Sequence, residues 1–150
     1  MLLAKPDNMF ISATLSSIHR ENEVTVSTGE RKKKIIIPSK PLGKGSSVSG
    51  GELLFLSLAT CFCNDLYREA ARREMDISAV EVIVRGEFGN EGEPASNITC
   101  EAKVESPLST SEEIASLIGY VDKTAEVQNT LRKGVNVTLK MHETVQYSVK

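Results

Sequence analysis

No apolar run in this sequence is long enough to cross a bilayer. The longest, Leu53 to Cys63, covers 11 residues and is interrupted by Ser57 and Thr60, where a membrane helix needs about 20. No basic-then-apolar leader opens the chain, so secretion is not expected. The two Asn-x-Thr patterns, Asn97-Ile98-Thr99 and Asn136-Val137-Thr138, are therefore read as coincidental. Strong charge of either sign is also lacking. The formal net charge of −2 gives no pull toward nucleic acid or anionic lipid. Cysteine is scarce: Cys61, Cys63 and Cys100 are an odd set with no C-x-x-C spacing. The histidines, His19 and His142, lie far from them. Reduced thiols in the cytoplasm are expected, with no metal and no cofactor. Internal repeats and low-complexity segments are missing too.

What is present suits one ordinary domain over residues 1–150. Hydrophobic residues make up 40% and charged residues 25%, close to globular averages. The segment Met9 to Ser17 reads as a strand, His19 to Asn22 as a turn and Glu23 to Thr28 as the return strand of a hairpin. After Gly29-Glu30 a third strand is expected over Lys34 to Ile37, ended by Pro38. The basic run Arg31-Lys32-Lys33-Lys34 beside it reads as a solvated strand edge rather than a phosphate site. A Pro/Gly/Ser loop spans Ser39 to Ser49. The series Ser49-Gly50-Gly51-Glu52 then has the form of a helix-capping box. The helix it opens extends to about Arg73 or Met75. It is apolar on nearly every side from Leu53 to Cys63, and from Asp65 it is charged on one face.

Further strands are expected over Val80 to Val84 and Ile98 to Val104, separated by a polar loop at Gly89 to Ser96. A second capping box, Thr110 to Glu113, opens a helix that carries Ile114, Leu117, Ile118 and Val121 on one face. A short helix follows and stops at Lys133-Gly134. A final strand over Val135 to Leu139 is expected, with a weaker one over Thr144 to Val149. This order indicates an α+β fold with largely antiparallel sheet. A helix apolar all round needs cover on every side, and a homodimer would supply it.

Cysteine chemistry centres on Cys61, roughly 13 Å up the helix from Glu52 at 1.5 Å per residue. Cys61 and Cys63 point about 200° apart on a helix and form no unstrained disulfide there. A cysteine reacts with peroxide as its thiolate, and apolar burial opposes ionisation. A positive charge must therefore come from elsewhere. Arg20, at the tip of the first hairpin, is the first candidate and Arg31 the second. Asp65, at i+4 from Cys61, would oppose the thiolate if it faced the same way. Each of these residues also has an ordinary reading: core filling for the cysteines, helix capping for Glu52, a solvated charge for Arg20.

The segment from Ser49 to Phe62, and Glu52-Leu53-Leu54 leading to Cys61-Phe62 within it, resembles the central helix of the osmotically inducible protein C (OsmC) and organic hydroperoxide resistance (Ohr) family. The order of elements resembles that family over nearly the whole chain. The resemblance implies an OsmC-like α+β fold: antiparallel sheets wrapped around long central helices in an intertwined homodimer. It also implies reduction of organic hydroperoxides at a cysteine, with an external thiol or dithiol as reductant. Carried over by residue, Cys61 matches the peroxide-attacking cysteine, Arg20 the arginine that lowers its pKa and Glu52 the glutamate that orients the arginine. The family's later Cys-Pro-Val-Ser-x-x-Leu motif is represented here by Ala125 to Leu131, with Ala125 where the second cysteine would stand. A single-cysteine peroxidase is one expectation. A non-catalytic dimeric module that binds a small apolar ligand or a protein is the alternative.

Overall fold

The computed structural model describes residues 8–140 and 143–146. Among the described residues, five strands and three helices follow one another as βββαββαα. The chain divides into two compact units that meet between Leu54 and Phe55, inside the long helix.

The first unit is an antiparallel meander of β1 (Ile11–Ile18), β2 (Glu21–Thr28) and β3 (Arg31–Ile35). His19 and Arg20 make the two-residue turn between β1 and β2. Both have positive φ, 49° and 68°, as the primed turns of tight hairpins require. The register sets Leu15 opposite Val24 and Val24 opposite Ile35, so these three share one apolar face. The third strand begins earlier than its apolar residues suggest. The turn at Gly29 places Arg31 opposite Thr28, so pairing starts within the basic run and ends before Ile36. Asn22 ties the loop after β3 to the hairpin. Its side-chain amide donates to the carbonyls of Ile37 and Gly45, each at 3.1 Å.

The long helix α1 (Gly50–Arg72) starts where the sequence places its cap, with Ser49 Oγ accepting from the Glu52 N–H at 3.1 Å. It closes with Glu74 in the left-handed region, φ 57°, and paired return bonds from Met75 N–H to Ala70 O and from Glu74 N–H to Ala71 O. This is a Schellman stop.

The second unit contains β4 (Ala79–Glu87), β5 (Ser96–Glu105), α2 (Ser111–Thr124) and α3 (Glu126–Lys133). The two strands pair antiparallel. The capping box of α2 is complete: Thr110 Oγ1 accepts from Glu113 N–H, and Glu113 accepts from Thr110 N–H. Phe62, Leu66 and Ala70 of α1 meet Leu117 and Val121 of α2 and Ala125 in one buried core. The apolar residues of β4 and β5, among them Val80, Val82, Ala102 and Val104, pack on it. Gly134 stops α3 in the left-handed conformation, φ 60°.

The observed fold is the expected α+β class with antiparallel sheet. One further expectation changes. Val135 to Leu139 forms no strand, because no neighbouring strand pairs with it among the described residues; Val137 and Leu139 are almost fully exposed. The weaker strand over Thr144 to Val149 lies partly outside the described residues, and residues 143–146 are irregular. The helix is not covered all round in a single protomer, as expected for one that a second sheet must help to cover. Leu58, Phe62 and Leu66 are buried, but Leu56 is 59% exposed. Among the described residues no helix is long and apolar enough to cross a membrane.

Candidate functional site

Cys61 is half-buried on α1, and its side chain packs on the core of the second unit. The next residue on the same helix face is Asp65, one turn on. Asp65 faces inward and is only 5% exposed, although it begins the charged half of the helix. The Cys61 thiol donates to Asp65 Oδ2 at 3.9 Å, and the other carboxylate oxygen receives Arg68 Nη2 at 2.5 Å. This ion pair explains how the carboxylate tolerates burial.

Helix α3 completes the surroundings. Its first residues bring the backbone amides of Val127 and Glu126 near enough to lower the pKa of the Cys61 thiol. They belong to the first turn, whose amides lack partners within the helix. The Glu126 side chain arrives as well, its charge acting on Asp65. One donor atom from each of Cys61, Asp65 and Glu126 lies within 4.8 Å of the other two. Such a set has ligand chemistry, but the Arg68 guanidinium already occupies one Asp65 oxygen, and its positive charge opposes a cation there. We read the group as a proton-sharing cluster.

The balance of forces on the thiol follows from this geometry. Burial raises its pKa, and the carboxylates of Asp65 and Glu126 raise it further, while the Val127 and Glu126 amides pull it down. The net shift is upward. Asp65 is raised too: burial dominates, Arg68 opposes it, and Glu126 adds to it through both charge and hydrogen bond.

The other residues singled out from the sequence are placed differently. Arg20 and Glu52 belong to the first compact unit and Cys61 to the second. Arg20 is exposed at its hairpin tip, and Glu52 is exposed in the first turn of α1. Cys63 is half-buried on α1, and Cys100 is exposed on β5. Cys100 lines a cavity of about 380 Å³ with Leu58, Gln128 and the Asp122–Arg132 ion pair. Ala125 is fully buried at the junction of α2 and α3, in the same core that Cys61 packs against, and it brings no second sulfur there. Sequence spacing had pointed to Asp65. Nothing local pointed to Glu126 and Val127, which are more than 60 residues away from Cys61 along the chain.

The sequence model of the OsmC-like protein family matches residues 43–140 of this chain. No match was found among curated proteins. Among solved structures, an OsmC-like protein from Mycoplasma pneumoniae is similar with a TM-score of 0.59 and 20% identity, covering 85% of this chain and 89% of its own. An OsmC-like protein from Vibrio cholerae gives a TM-score of 0.58 at 12% identity, with 83% and 93% covered. An organic hydroperoxide resistance protein from Elizabethkingia anophelis gives 0.53 at 18% identity, with 87% and 91% covered. At these identities the structural likeness speaks for the fold.

Proposed function

Because the chain belongs to the OsmC-like protein family, we propose that it reduces organic hydroperoxides at the Cys61 thiol, using an external thiol or dithiol as reductant. The observation that carries this reading is the placement of half-buried Cys61 on α1 beside the first turn of α3, whose Glu126 and Val127 amides pull its pKa down. Amides so placed favour a negatively charged sulfur. A structurally similar protein is named for organic hydroperoxide resistance.

The reaction is a single-cysteine one. Sulfur attacks the terminal peroxide oxygen, giving a sulfenic acid and an alcohol. Ala125 provides no partner thiol, so one external thiol condenses with the sulfenic acid and releases water. A second thiol then frees Cys61 by exchange. Arg20 is proposed as the cation that favours the thiolate and Glu52 as the carboxylate that orients it, in a cytoplasmic homodimer. Support for the dimer comes from apolar side chains left exposed in one protomer, including Ile11, Leu15, Ile18, Leu56 and Val137. Sedimentation should give twice the protomer mass; a stable monomer at micromolar concentration would remove that part of the reading.

A second reading is favoured by one observation, the Asp65 carboxylate 3.9 Å from the sulfur. It disfavours a thiolate, as a non-catalytic module that binds a small apolar ligand would allow. Dithiothreitol-dependent consumption of cumene hydroperoxide separates the two. Wild type, Cys63→Ser and Cys100→Ser should turn over while Cys61→Ser does not. Equal activity in all four proteins, or none in wild type, supports the binding module.

A further inference from the structure

A sulfur with two carboxylates beside it is an unexpected nucleophile, and the arrangement of those carboxylates gives a reason for it. Asp65 is held in place by Arg68 through Oδ1, and its Oδ2 faces the thiol. Glu126 approaches the same group from α3 and is itself exposed. The charged groups that face Asp65 are therefore Arg68 on its own helix and Glu126 on α3. A buried carboxylate touches the reacting sulfur, and an exposed carboxylate links it to solvent.

We propose that Asp65, backed by Glu126, is a proton relay that takes the Cys61 proton and delivers it to the departing oxygen of the hydroperoxide. This role deepens the hydroperoxide reading of Cys61 and rests on it. As sulfur attacks the terminal peroxide oxygen, the S–H bond breaks and its proton moves to Asp65 Oδ2. The S–O bond forms. The O–O bond breaks, and its electron pair goes to the alkoxy oxygen, which receives the proton back from Asp65. Thiol and hydroperoxide become sulfenic acid and alcohol. Sulfur is oxidised, the peroxide is reduced, and the carboxylate ends as it began.

Three features suit Asp65 to this role. Its burial and its pairing with Glu126 raise its proton affinity toward that of the thiol, and matched affinities make transfer efficient. Its distance of 3.9 Å from the sulfur is within reach of a peroxide oxygen bonding to that sulfur. The ion pair with Arg68 keeps the carboxyl group from rotating away.

The test uses two reactions of the same sulfur. Alkylation by iodoacetamide expels iodide and needs no proton donor, whereas oxidation by cumene hydroperoxide expels an alkoxide and does. Asp65→Asn removes both the negative charge and the relay. Alkylation of Cys61 should become several-fold faster while its oxidation slows by about a hundredfold or more, the low end of general acid–base contributions of roughly 10²–10⁴-fold. Glu126→Gln, at an exposed position that does not endanger folding, should shift both rates in the same opposing directions by less. If both rates rise together in either variant, or oxidation is unchanged, Asp65 is only an electrostatic burden and the relay is wrong. If wild-type Cys61 is alkylated but never oxidised by the hydroperoxide, the hydroperoxide reading itself fails.

Discussion

Gln128 of α3 donates its side-chain amide to the backbone carbonyl of Leu58 at 2.9 Å, inside the buried core. Leu58 lies one turn before Cys61 on α1. The bond therefore fixes the start of α3 against the turn of α1 that bears the thiol, and it sets where the Glu126 and Val127 amides fall. A helix end held in this way presents its amides to the sulfur without having to reorganise.

Removing one of those amides tests their effect. Val127→Pro lacks the N–H but lies in the first helical turn, where proline is tolerated. The Cys61 pKa should rise. Alkylation by iodoacetamide at neutral pH should slow roughly fivefold, the equivalent of about 1 kcal/mol for one hydrogen bond. Circular dichroism checks that α3 persists. An unchanged rate would mean the amide does not act on the sulfur.

Asp65 also links stability to pH. Its carboxyl pKa is higher in the folded chain than in the unfolded one, so folding favours the protonated form. That contribution is fully present below the unfolded pKa and is lost as pH rises through the folded value. Asparagine at this position carries no such dependence. The stability of Asp65→Asn relative to wild type should therefore increase as pH rises above about 4, the unfolded carboxylate value, as read by urea unfolding at several pH values. A decrease would show that the Arg68 ion pair outweighs burial.

Gly86 lies at the bulge between Arg85 and Glu87 in β4, beneath Phe55 of α1. A Cβ added there would come within 2.6 Å of Phe55 Cζ and 3.1 Å of Ile98 Cγ1. Phe55 is in turn stacked on Phe88, with ring centroids 5.7 Å apart, so it has little freedom to retreat. Gly86→Ala should destabilise the protein by about 1–3 kcal/mol, the usual effect of overpacking. Adding Phe55→Leu should recover part of that loss in thermal unfolding. Full stability of the single variant would show that the ring moves aside freely.

The parts of the fold legible in the sequence are those governed by near neighbours. Ser49 caps α1, Thr110 and Glu113 close a capping box, and Gly134 stops α3, because each depends on residues within one helical turn. The apolar spacing of Leu117 and Val121 indicated which face of α2 is buried. Val135 to Leu139 misled for the complementary reason. Its alternation fits a strand, but a strand also needs a partner, and alternation carries no information about that.

The helices, the hairpins, the thiol on α1 and the residue one turn beyond it can all be read along the chain, since they follow from local backbone geometry. What that thiol meets is a matter of packing between distant segments. Packing turned Asp65 inward against Arg68 and brought Glu126 and the Val127 amide from a distant helix. The pKa of Cys61 is set by those through-space contacts, because charge and burial act across distance in the folded molecule rather than along the chain.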